Sequence, residues 1–145
     1  MDTKLYTVDI SVLLKPILTP TGKIGINNNF SDIVLSEETW FHFHHSGTKE
    51  NKVTLQIEHY GKSIRDADTA IIIDQIKLNG ISNPKFAWQG TYYPAYPEHY
   101  SQGKELESEL RPFTHMGWNG VWTLEFSLPI YTWIHKTLDL GWIYD

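Results

Sequence analysis

The densest run of side chains able to do chemistry is Trp40-Phe41-His42-Phe43-His44-His45. In an extended strand Trp40, His42 and His44 share one face and Phe41 and Phe43 the other. Pairing this run as a hairpin with Val53 to His59 buries Phe41 and Phe43 beside Leu55 and Val53, whereas a one-residue slip would bury histidines among aliphatic residues. That register predicts one outer face made of Trp40, His42, His44, Gln56 and Glu58. A flat aromatic among hydrogen-bonding side chains suits a sugar, whose CH-rich face stacks on the ring while its hydroxyls meet the polar groups. His42 and His44 also read as ordinary solvated strand residues. A third reading gives both to one metal ion, with Glu50 completing a His-His-carboxylate set.

Two further groups carry chemistry. Asp66, Asp68 and Asp74 follow the Gly61-Lys62 turn, and closely spaced carboxylates on a loop are a common source of the oxygens that calcium requires. Their spacing is not that of an EF-hand, and the same residues serve as turn formers and an exposed strand position. The segment from Trp88 to Tyr100 places five large aromatics in what reads as a loop. There Tyr93 and Tyr96 offer rigid apolar surface with a polar tip, for recognition or for a contact within a homo-oligomer. Folding back as a lid on the core is the equal alternative. The serines lack a nucleophile elbow, and no glycine-rich loop cradles a phosphate. Binding or a structural role is therefore favoured over catalysis.

The elements that must position these groups are strands. Tyr6, Val8, Ile10, Val12 and Leu14 alternate with Thr7, Asp9, Ser11 and Leu13 until Pro16. A short strand near Phe30 to Leu35 follows the Asn27-Asn28-Asn29 turn, and a firmer one runs from Thr39 to His44. Val53 to His59 alternates. Ala70 to Leu78 is β-branched and continuous, as in a strand covered on both faces, and Asn79-Gly80 ends it with a turn. Phe86 to Trp88 reads as a short edge strand. Gly90 to Pro112 lacks periodicity and reads as a long excursion, with one helical turn around Leu106 and Leu110. Trp122, Leu124, Phe126 and Leu128 form another strand. After Pro129, the spacing of Ile130, Trp133, Ile134 and Leu138 predicts a short amphipathic C-terminal helix. The pattern is that of an all-β protein, an antiparallel β-sandwich of jelly-roll type with a long aromatic loop, spanning residues 1–145 as one domain; a partly closed barrel is the alternative.

Composition narrows the partners. The chain has 145 residues, 41% of them hydrophobic, and no run approaching the ~20 apolar residues of a membrane-spanning helix. The net charge is −5 with scattered Lys and Arg, which argues against nucleic acid. There is no cysteine, so no disulfide and no thiolate metal site or nucleophile. Met1 to Leu5 leads straight into alternating sequence without a secretion signal, so cytoplasmic synthesis and folding are expected.

Two stretches carry a resemblance. The first is Leu55-Gln56-Ile57-Glu58-His59-Tyr60-Gly61-Lys62 leading into Asp68-Thr69-Ala70-Ile71-Ile72-Ile73-Asp74-Gln75-Ile76, and the second is Gly117 to Phe126 together with the terminal Gly141-Trp142-Ile143-Tyr144. These resemble small proteins of tailed marine bacteriophages, and the order strand, Asp-rich turn, strand is similar to that of calcium-dependent xylan-binding modules. The resemblance implies a jelly roll, a calcium ion near Asp66, Asp68 or Asp74, and a glycan or other virion proteins as partner. His42, His44 and Glu50 resemble the first cupin motif in part, which implies a metal-dependent enzyme. The longer gap to Glu50, and Ser36 where a Gly belongs, depart from that motif.

Overall fold

In the computed structural model, residues 4–62, 69–95, 109–111 and 113–138 are described. Two antiparallel sheets face each other across an apolar core. The strands are β1 (Tyr6–Ile17), β2 (Thr21–Ile26), β3 (Asn29–Val34), β4 (Thr39–Gly47), β5 (Lys52–Tyr60), β6 (Ala70–Leu78), β7 (Ile81–Ser82), β8 (Thr91–Pro94), β9 (His115–Met116) and β10 (Gly120–Ser127). Two helices, α1 (Pro84–Trp88) and α2 (Ile130–Leu138), complete the fold. Sheet A runs β4-β1-β6-β7, with β9 also on β6, and sheet B runs β3-β2-β5-β10-β8. This is the expected all-β sandwich, with the expected C-terminal helix. Among the described residues no helix is long and apolar enough to cross a membrane.

Alternation explains the core. Val8, Ile10, Val12 and Leu14 of β1 and Val53, Leu55 and Ile57 of β5 are fully buried, as are Trp122, Leu124 and Phe126 of β10 to within 2%. Burial of each such side chain contributes about 1.5–3 kcal/mol. Trp122 is pinned by its indole N–H, which donates to the Phe113 carbonyl at 2.8 Å. Gly90 leaves room for that ring, since a Cβ there would lie 1.9 Å from Trp122 Cζ2. At one end of the sandwich Trp133 of α2 packs on Phe126 and on Phe86 of α1, with ring centroids 5.7 and 5.8 Å apart.

The expected hairpin of residues 39–44 with 53–59 does not form. β4 pairs with β1, while β5 lies between β2 and β10 in the other sheet. The reason is competition for the core. β5 carries fully buried aliphatics and takes the centre of its sheet, whereas Phe41 and Phe43 are only half-buried and β4 sits at an edge. The connection between them is tied elsewhere, with Glu50 N–H donating to the Leu128 carbonyl at 2.9 Å and Leu128 N–H to the Asn51 carbonyl at 3.0 Å.

Four other expectations change. Residues 84–88 are helical because the Asn83 side chain caps the Lys85 N–H and Pro84 opens the helix, so no edge strand forms at Phe86 to Trp88. β6 is not covered on both faces. The ladder with β1 slips between Leu13 and Leu14, leaving Asp74 as an extra, exposed residue, with Gln75 exposed beside it. β1 runs on through Pro16, where only β6 is beside it, so the missing N–H breaks no ladder bond on the β4 side. Residues 91–94, read as part of the aromatic loop, form β8; Tyr96 and Leu106 lie outside the described residues.

Candidate functional site

Because β4 and β5 belong to different sheets, the predicted outer face divides. Trp40, His42 and His44 lie on the outside of sheet A, and Gln56, Glu58 and Tyr93 on the outside of sheet B, across the thickness of the sandwich. They form no single sugar-binding surface.

The sheet A face is already satisfied internally. His42 Nδ1 pairs with Ser11 Oγ at 2.8 Å and His44 Nδ1 with Asp9 Oδ1 at 2.6 Å, each across the β1–β4 ladder. Lys77 reaches over β1 to place its ammonium 4.8 Å from the Trp40 ring centroid, and His42 stacks beside that ring. Leu13, opposite Trp40 on the same outer face, is only 4% exposed under this cover. Asp74 meets Lys15 at 3.5 Å, whereas Asp66 and Asp68 lie outside the described residues. Among the described residues no three His, Asp or Glu side chains gather as metal ligands.

One end of the sandwich holds a cavity of about 300 Å³ lined by Thr19, Thr21, His59, Tyr60, Lys62 and Thr69, among others. Its strongest groups also serve the fold. The Lys62 ammonium donates to the Thr69 and Gly117 carbonyls at 3.1 and 2.6 Å. Asn119 clamps the Lys62 backbone from both sides, accepting from its N–H at 2.9 Å and donating to its carbonyl at 2.6 Å. His59, 1% exposed, donates Nδ1–H to the Met116 carbonyl at 3.0 Å. Burial lowers its pKa below the ordinary histidine value and the Lys62 charge adds to this, so the ring is held neutral.

The outside of sheet B is different. A cleft of about 340 Å³ opens between the Asn27-Asn28 turn, Phe30, Thr54 and Gln56. The turn is the kind that tight hairpins use, with positive φ at both asparagines. Asn27 fixes it to β5, its N–H donating to the Thr54 carbonyl at 3.0 Å and its side-chain oxygen accepting from the Thr54 N–H at 2.9 Å. Gly25, opposite both Phe30 and Gln56, has no side chain because β3 comes too close; a Cβ there would lie 1.9 Å from the Asn29 carbonyl oxygen. Phe30 is 39% exposed. Among the described residues no protein partner binds the side-chain amides of Asn28 and Gln56 or the hydroxyl of Thr54. Beside the cleft the row Asp32, Lys23, Glu58, Val121, Tyr93 crosses all five strands, and Tyr60 O–H donates to Asp32 at 3.3 Å. The Tyr60 phenol lies above its ordinary pKa, through lost solvation first and then the neighbouring Asp32 carboxylate.

Compared with known proteins, the chain matches no family model, no curated protein and no solved structure. Sequence reasoning places Gln56 and Glu58 on an outer face but beside the wrong strand, and of the two only Gln56 lines the cleft. It does not single out Phe30, Asn28 and Thr54, although Asn27-Asn28-Asn29 before an aromatic marks the turn that builds the cleft.

Proposed function

We propose that this is a non-catalytic carbohydrate-binding protein whose site is the cleft on the outside of sheet B. The observation that carries the reading is the set of unpartnered groups there, the Asn28 and Gln56 amides and the Thr54 hydroxyl, beside the exposed ring of Phe30. A side-chain amide presents a donor and an acceptor together, the complement of a pair of neighbouring sugar hydroxyls. An aromatic ring takes the apolar face of the same sugar. The cleft lies at the small end of the usual range for ligand sites, about 300–1,000 Å³, which fits one or two sugar rings. The Trp40 face fits less well, since a sugar there would have to displace Lys77 and compete for histidines bonded to Ser11 and Asp9.

A glycan array followed by calorimetric titration tests the reading. Phe30→Ala and Gln56→Ala should each weaken binding by about tenfold or more, equal to about 1.4 kcal/mol. Trp40→Ala should leave it unchanged. Binding that survives both cleft substitutions and is lost with Trp40 would move the site to sheet A.

A further inference from the structure

Resting on the cleft reading, the geometry points to an extended, neutral oligosaccharide that crosses all five strands of sheet B, with Tyr93 as a second aromatic contact far from Phe30. The cleft is one end of a row. Phe30, Gly25, Gln56, Thr123 and Thr91 face outward in register from β3 to β8. Past Phe30 this row holds a glycine, a glutamine and two threonines, so it is low. One border is the parallel row of Asp32, Lys23, Glu58, Val121 and Tyr93, which stands above the floor at Lys23 beside Gly25 and at Tyr93 beside Thr91 and is level with it at Glu58 and Val121. On the other side stand Thr54 and Glu125, and Glu125 is held by Lys52 at 3.4 Å. The result is an uncharged polar track that continues the cleft across the strands.

Its length follows from strand spacing. Five strands span four intervals, or ~19 Å, longer than any single sugar ring. At the far end Tyr93, on the border row, is 44% exposed and faces the same side as Phe30, because its neighbour Tyr92 takes the inward position opposite Trp122.

The chemistry along the track selects the occupant. Its floor offers amide and hydroxyl groups and no charge, and its borders carry both signs, with Lys23 and Lys52 against Asp32, Glu58 and Glu125. An anionic or cationic polymer would meet repulsion at one border or the other, while a chain of hydroxyl groups meets none. Exposed aromatics at both ends of a polar floor fit a polymer of rings better than a compact ligand.

The test is a chain-length series, using neutral gluco-, manno- and xylo-oligosaccharides from monomer to hexamer titrated calorimetrically into the full-length protein. For the series that binds, affinity should rise by about tenfold or more between the shortest and longest members and then level off. Tyr93→Ala should remove that gain and leave the shortest ligand unaffected. Thr91→Lys, which raises the floor on β8 two strands away from Gln56, should do the same, and circular dichroism shows whether each variant is folded. Equal affinity for dimer and hexamer, with folded Tyr93→Ala matching the parent protein, would overturn the extended site and leave the cleft standing. Absence of binding to any member of the three series would overturn both.

Discussion

His59 makes this protein less stable in mild acid. Its imidazole is 1% exposed and its pKa is lowered, first by burial and then by the Lys62 charge. The unfolded chain, by contrast, takes up a proton near the ordinary value of about 6.5. Below that pH the unfolded state binds more protons than the native state, so stability falls as pH falls. The contribution is intact above the unfolded value and is lost progressively down to the lowered folded value. The steepest slope one group can supply is about 1.4 kcal/mol per pH unit. With a urea dependence of about 1–3 kcal/mol per molar, that is a midpoint shift of about 0.5–1.4 M per pH unit. His59→Gln stays neutral throughout and keeps an N–H donor for the Met116 carbonyl, so it removes the titration while retaining a partner. Urea titrations of both proteins at intervals from pH 8 to pH 5 should show the parent losing stability faster than the variant below about pH 6.5. The exposed His42 and His44 are common to both proteins and drop out of the comparison. Parallel pH profiles would refute the claim that His59 is buried and neutral in the native state.

Gly90→Ala forces a methyl group against Trp122, whose ring is held by the Phe113 carbonyl, and should cost about 3 kcal/mol, read as a lower urea midpoint with a change in tryptophan emission. Trp40→Ala removes the cover of Leu13 and the ring under Lys77, so it should cost about 1–2 kcal/mol while the protein stays folded by circular dichroism. A protein unfolded by that change would place Trp40 in the core.

The strands built on strict alternation were legible because their hydrophobic period alone decides which side faces the core. Tyr6 to Leu14, Val53 to His59 and Val121 to Leu128 are of this kind. β2 was not, since Gly22 and Gly25 interrupt its pattern; Gly25 answers to the Asn29 carbonyl across its own hairpin, while Gly22 answers to the Glu58 carbonyl, distant in sequence, which no local reading reveals. β8 was hidden in the same way, as its four residues gain their meaning only beside β10. Strand partnership was the larger loss. Alternation assigned Phe41 and Phe43 inward correctly, yet inward in a sandwich means either sheet, and nothing between Ser46 and Asn51 states that the chain changes sheets. The candidate site inherited that error. Gln56 faces outward as expected, while the residues beside it in the cleft come from β3 and the turn before it.

The bulge at Asp74 bears on how this chain can change length. Losing one residue from the middle of a strand ordinarily turns every later side chain over, driving polar groups inward and apolar ones into water. In β6 the phase slip is already present, since Ile71 and Ile73 point inward before it and Ile76 and Leu78 after it, with two residues rather than one between the pairs. Removing Asp74 would bring Ile73, Gln75 and Ile76 into simple alternation, and every inward residue would keep its side. What is lost is the exposed ion pair to Lys15, worth at most about 1 kcal/mol. Among the buried strands of this fold, β6 thus contains a position where a codon can vanish and the core stay in register.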